Sequence, residues 1–126
     1  MTTSDPFPTL RTQVHEAYTL VVLGGELDAF AAGRLRPELD TLTAPGADGP
    51  PGLVLDLRRV TFADCGGLSL LVRARRRARG RGGDVTLVCD SPRVLRVLRL
   101  TRLDREFTVR ADRAGRSGTA QLSGSR

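Results

Sequence analysis

Residues 53–89, LVLDLRRVTFADCGGLSLLVRARRRARGRGGDVTLVC, decide the fold. Leu53 to Leu57 form a nearly continuous apolar run, carried on by Val60 and Phe62, of the kind a strand shows when both faces of a parallel sheet are covered. Asp64 stands as an N-cap before Cys65-Gly66-Gly67. Leu68, Leu71, Val72 and Ala78 then recur along one side of a helix, with Arg73, Arg76 and Arg77 mostly on the other. The glycine-rich stretch 80–84 ends that helix, and residues 85–89, VTLVC, read as the next strand. Strand, helix and strand in this order make a βαβ unit, whose crossover is right-handed.

The flanks extend this α/β pattern. Upstream, Tyr18 to Leu23 read as a strand in a hairpin with Leu10 to Val14 across His15, Glu16 and Ala17. Gly24-Gly25 interrupts it, and Asp28 caps a helix whose Leu35, Leu39 and Leu42 fall at i, i+4 and i+7. Pro37 lies inside that helix without the N–H needed there, so a kink or a split is expected. Residues 44–52, APGADGPPG, are a loop by composition. Downstream, Ser91 caps and Pro92 opens a helix with Val94, Leu95 and Leu98 facing inward, and residues 105–109, REFTV, form a short last strand or extended end. Residues 111–126 hold too few apolar side chains to offset the entropy of ordering and are expected to be a disordered tail. The division is therefore a short extension at 1–8, one domain at 9–110 and the tail.

Composition narrows the function. A chain of 126 residues supports one modest core, and with 4% aromatics that core is built of Leu, Val and Ala. Nothing approaches the ~18 apolar residues of a membrane span, and MTTSDPFPTL has no signal-peptide pattern, so a soluble cytoplasmic protein is expected, with no membrane contact. The net charge of +6 comes entirely from arginine with no lysine, a compositional bias more than a sign of a polyanion partner. With no interleaved aromatics for stacking bases, nucleic acid is not an expected partner. The arginine run 73–79 reads as a solvated helix face. Cys65 and Cys89 form no C-x-x-C pair and are joined by a single histidine, so no metal site and no cofactor are expected, and both thiols should be reduced. His15 is the one imidazole and sits in a turn without a nucleophile beside it, so an enzyme is not expected.

Four segments in order, GGELD at 24–28, LVLDLRRVTFADCGGL at 53–68, ARRRARGRGGDVTLV at 74–88 and SPRVLRVLRLTRLDREFTV at 91–109, resemble the STAS domain of bacterial anti-sigma factor antagonists (anti-anti-sigma factors). The resemblance implies an α/β STAS fold: a central mixed β-sheet of four or five strands with helices packed mainly on one side. It also implies partner switching in the regulation of transcription. An antagonist of this kind binds a kinase-type anti-sigma factor and frees the sigma factor. The kinase phosphorylates a Ser or Thr in the loop before the second helix, which breaks the complex, and a phosphatase resets it.

At that loop the family reads Asp-Ser-Ser/Thr-Gly-Leu. Here Asp64 and Gly67-Leu68 match, Cys65 replaces the first Ser, and Gly66 stands where the acceptor hydroxyl belongs. The resemblance therefore implies a partner surface of Glu26, Asp28, Asp64, Cys65, Gly66, Gly67 and Leu68 that lacks its usual phosphorylation site. Ser69, about 60° around the helix from position 66 and one turn along, is the candidate for a substitute acceptor, with a plain helix-face position as its structural alternative. Three outcomes stay open: an antagonist locked in its binding state, a switch moved to Ser69, or a diverged member. An accessory STAS module bound to a transporter or a sensory complex is the alternative. Each site residue also has a structural role open to it: capping for Asp28 and Asp64, positive φ or close backbone approach for Gly66 and Gly67, a small stand-in for Ser at Cys65, a core position for Cys89. Asp56, inside an apolar strand, requires an Arg or backbone N–H partner.

Overall fold

A computed structural model describes residues 7–112. Its elements run β1 (Thr9–Val14), β2 (Thr19–Leu27), α1 (Ala29–Leu42), β3 (Leu53–Ala63), α2 (Cys65–Gly80), β4 (Val85–Val88), α3 (Pro92–Leu100), a 3-10 turn (Leu103–Arg105) and β5 (Thr108–Arg110). The five strands lie side by side in chain order, β1 antiparallel to β2 and the rest parallel. This is the α/β mixed sheet expected from the sequence. The boundary of the tail falls at the edge of the described residues, and residues 113–126 lie outside them.

Alternation along the strands explains why one face carries the helices. Val21 and Leu23 of β2, Leu55 and Leu57 of β3 and Leu87 of β4 join Leu35 and Leu39 of α1, Leu68 and Leu71 of α2, and Val94 and Leu98 of α3 in one core. The intervening residues Leu20, Val54 and Val88 form a small second cluster on the opposite face. Asp56 belongs to that second set and is buried; Arg58 meets its carboxylate with a backbone N–H at 3.0 Å and with guanidinium Nε and Nη2 at 3.0 and 2.9 Å. The partner that an acid inside an apolar strand requires is thus two residues along the same chain.

Three local expectations are corrected. Gly24-Gly25 does not end β2, which continues to Leu27. Gly25 adopts φ +85°, and the pairing with β3 slips by one residue between Val22 and Gly24 and again between Gly25 and Glu26. β2 runs on through the glycines, and the extra residue at each slip lies on β3, a bulge in the pairing rather than a break. Pro37 does not split α1, which runs unbroken for 14 residues. Pro37 and Gly33, whose carbonyl would have received the missing hydrogen bond, both lie on the exposed side, where water can serve that carbonyl, while Leu35 and Leu39 hold the helix in the core. Residues 105–107 are not strand: Arg105 closes the 3-10 turn, Phe107 enters the core, and β5 begins at Thr108.

A fourth correction concerns the helix-face arginines. Arg73, Arg77 and Arg81, four residues apart, line the edge of α2 that meets α1. Arg73 grips Asp40 with two parallel bonds of 2.8 and 3.0 Å. Arg77 donates to the Thr43 hydroxyl and the Asp40 carbonyl, and Arg81 to the carbonyls of Ala47 (2.7 Å), Gly49, Leu42 and Pro50. Three carbonyls of the loop 44–52 are therefore gathered by one guanidinium. Arg75 faces Asp84 and Glu106 and covers the Phe107 ring, and Arg79 reaches Asp84. A run that reads as solvated is mostly a set of ties between elements; Arg76 alone of residues 73–81 keeps an exposed guanidinium with no ion pair or hydrogen bond among the described residues.

Candidate functional site: two capped junctions side by side

The two slips between β2 and β3 bring Leu27 level with Ala63. Each strand then passes into a helix through an aspartate, so Asp28 and Asp64 stand next to each other where the two parallel strands end. Asp28 Oδ1 accepts from the Ala31 N–H at 2.9 Å, and Asp64 Oδ1 from the Gly67 N–H at 3.0 Å. Both caps have extended backbone, and their carbonyls take the first helical bonds, from Ala32 and Leu68 at 2.9 Å. The Asp64 N–H donates to the Leu27 carbonyl at 3.2 Å, tying one junction to the other.

That tie accounts for the glycines. A Cβ on Gly67 would lie 1.7 Å from the Leu27 carbonyl oxygen and 2.8 Å from the Asp28 nitrogen, so only glycine fits. A Cβ on Gly66 would lie 2.9 Å from the Ala29 Cβ and 3.1 Å from its Cα and N. Neither glycine has positive φ. Of the two structural reasons open for them, close approach is the operative one. The first turn of α2 is pressed against the first turn of α1, and the residue lacking a hydroxyl is part of that contact.

The predicted site residues separate into layers. Glu26, beside Phe62 in the register, and Cys65 are exposed, and Phe30 adds a second exposed ring at the start of α1. Asp28, Asp64 and Gly66 are half-buried. Gly67 and Leu68 are buried, and Leu68 belongs to the core, so it supports the surface from below. Phe62 reads in the sequence only as part of the strand and Phe30 carries no expectation there; the signal was an aromatic two residues from each capping aspartate. Ser69 is exposed, and its hydroxyl donates to the Gly66 carbonyl at 2.6 Å. Cys89 is buried, and burial pushes its thiol pKa up. Among the described residues no cluster of three His, Cys, Asp or Glu side chains could hold a metal ion, and no helix is long and apolar enough to cross a membrane.

From the junctions an open groove of about 790 Å³ runs down between α1 and α2. Ala29, Ala32, Gly33 and Gly66 keep it low, and Ser69 supplies the one hydroxyl in its lining. The arrangement is one structural module: two capped helix starts at one end of the sheet with a shallow cleft beside them.

Comparison with known proteins gives that module its family. The STAS domain model matches residues 9–115. The chain is 33% identical over 120 residues to "Putative anti-anti-sigma factor Rv2638" of Mycobacterium tuberculosis, covering 92% of this chain and 80% of the relative. The crystal structure of an anti-sigma factor antagonist from Mycobacterium paratuberculosis superposes with a TM-score of 0.76 at 29% identity, over 87% of this chain and 92% of the other. The anti-sigma factor antagonist SpoIIAA in its unphosphorylated form shares the fold, with a TM-score of 0.68 at 23% identity over 82% and 90% of the two chains. The chain belongs to the STAS domain family, among the anti-sigma factor antagonists.

Proposed function

We propose that this protein binds a kinase-type anti-sigma factor through the paired junctions, releases the sigma factor held there, and is not reset by phosphorylation at position 66. The observation that carries this reading is the contact of Gly66 with Ala29: the loop keeps its capped, close-packed form, and the acceptor hydroxyl is replaced by backbone. Exposed Glu26 and Cys65 form the outer contact surface, and Asp28 and Asp64 hold its backbone in place. Phosphate at such a surface adds about −1.5 to −2 charge and disrupts a fit made for a neutral group. Without the acceptor that disruption has no place to occur, and control passes to the amount of protein made.

Ser69 is the remaining candidate acceptor, and its side chain is bound to the helix backbone one turn from Gly66. This hydroxyl is better explained as a helix-surface residue bonded to the preceding turn. A resetting phosphatase would have a role only if Ser69 were modified.

Calorimetric titration against the kinase-type anti-sigma factors of the same organism, in ADP and in ATP, tests the proposal. Tight binding that survives long incubation in ATP, with no added phosphate mass, is the expected result. Dissociation in ATP with a phosphate mapped to Ser69, and abolished by Ser69→Ala, would return the switch to that residue. Absence of binding to all of them would overturn the antagonist role in favour of an accessory module for a transporter or sensory complex.

A further inference from the structure

The groove between α1 and α2 combines an almost bare floor with a cationic rim. Ala29, Ala32, Gly33 and Gly66 leave space between the two helices, and Pro37, Leu70 and Val72 complete the apolar part of the lining. Arg36 from α1 and Arg76 from α2 stand on its walls, both exposed, and neither makes an ion pair or a side-chain hydrogen bond among the described residues. Their neighbours differ. Arg73 is held by Asp40, which Arg77 also approaches at 3.4 Å, so the one carboxylate at the lower end of the groove is already used. At the upper end Asp28 and Asp64 spend their carboxylates on helix N–H groups. Arg36 and Arg76 therefore flank the cleft as exposed guanidinium groups without an ion pair among the described residues, Arg36 lying within electrostatic reach of Asp40 but not bonded to it.

We infer that this groove receives an acidic segment of the partner, with its carboxylates on Arg36 and Arg76 and its side-chain stems on the small-residue floor. The inference rests on the proposed antagonist role and adds the chemistry of the partner's contact. Charge selects the occupant. A second copy of this chain has a net charge of +6 and would bring the same arginines against these. An acidic segment satisfies both guanidinium groups and replaces their water with charge-assisted hydrogen bonds, which set encounter rate and register more than bulk affinity. Placing such a contact beside the paired junctions would also orient the partner across Gly66, since Gly66 lines both features.

The test measures the dissociation constant for the anti-sigma factor that binds the wild-type protein, over a salt series, for Arg36→Glu, Arg76→Glu, the double variant and Arg99→Glu on α3 as a control outside the groove. Thermal unfolding of each variant checks the fold, which should not change because both groove arginines are exposed and unpaired. Each groove reversal is expected to weaken binding about tenfold or more, the double variant more than either, and Arg99→Glu less than about twofold. Wild-type affinity should fall as salt rises, and the double variant should show a flatter salt dependence. Wild-type binding that is indifferent to salt and to both reversals overturns this inference and leaves the antagonist role intact. Wild-type protein that binds no anti-sigma factor, but binds an oligonucleotide through Arg36 and Arg76, overturns both.

Discussion

Three alanine substitutions at glycines measure how close the two helix starts lie. In Gly67→Ala the new methyl would sit 1.7 Å from the Leu27 carbonyl oxygen and 2.2 Å from its carbon, where an ordinary contact is 3.4 Å or more. Relief requires α2 and the end of β2 to part by well over 1 Å, which breaks the Asp64 N–H to Leu27 carbonyl bond and loosens the core under Leu68. Overpacking of this kind costs about 1–3 kcal/mol or more, and loss of a buried backbone bond adds about 1. The gain from alanine's better helix propensity returns at most about 1 kcal/mol. The net is a loss of about 1–3 kcal/mol or more, a fall in Tm of roughly 5–10 °C or more for a domain of this size. Gly66→Ala meets Ala29 at 2.9 Å, a misfit of only a few tenths of an ångström, so strain and propensity should nearly cancel, to within about 1 kcal/mol. Gly33→Ala, in α1 with nothing within 4 Å of its Cβ, should raise stability by about 0.5–1 kcal/mol. Urea unfolding followed by circular dichroism gives all three values on one scale. A Gly67→Ala protein as stable as wild type, or a Gly33→Ala protein less stable than it, would refute the argument from close approach.

Thiol labelling should divide the cysteines: exposed Cys65 reacts with a disulfide reagent in the native protein, while Cys89, buried and with its pKa raised by that burial, reacts only on unfolding. Two equivalents released at one fast rate would contradict the buried position of Cys89. Arg81→Ala should cost about 1–2 kcal/mol and speed proteolytic cutting within 44–52, because the carbonyls of Leu42, Ala47, Gly49 and Pro50 lose their shared donor. Unchanged cutting would show that the loop holds itself. The hydrogen bond from Arg73, with the nearby charge of Arg77, holds the Asp40 carboxyl below its ordinary pKa. A lowered folded pKa gives stability that is present above the unfolded value, about 3.9, and is lost as pH falls through the folded one. Asp40→Asn should therefore lower Tm modestly at pH 7 and shrink the difference from wild type below about pH 4; a constant difference down to pH 2 would contradict this sign.

The order of elements was legible in the chain because its causes are local. Apolar runs, the caps Asp28, Asp64 and Ser91, and Pro92 at the helix start each act within a few residues, and all three caps accept the expected N–H. Even the partner of Asp56 lies two residues away. What local reading misjudged were groups whose surroundings come from elsewhere. Gly24-Gly25 looked like a break until β3 was beside it to take up the slips. Pro37 looked disruptive because its neighbours in the core could not be seen. The arginines of α2 looked solvated because their acceptors, Asp40, Thr43 and the 44–52 loop, lie more than thirty residues earlier.

The candidate site divides along the same line. The sequence by itself determined that a capped strand-to-helix turn lies at Asp64 and that position 66 has no hydroxyl, because these depend on residue type and short-range bonding alone. Only the tertiary structure decided why glycine stands there, since the atoms that exclude a side chain from residues 66 and 67 belong to Leu27, Asp28 and Ala29, nearly forty residues distant. It likewise decided that the arginines at 36 and 76 share a groove. Steric exclusion and charge pairing act over a few ångströms of space, and the distance along the chain does not report that space.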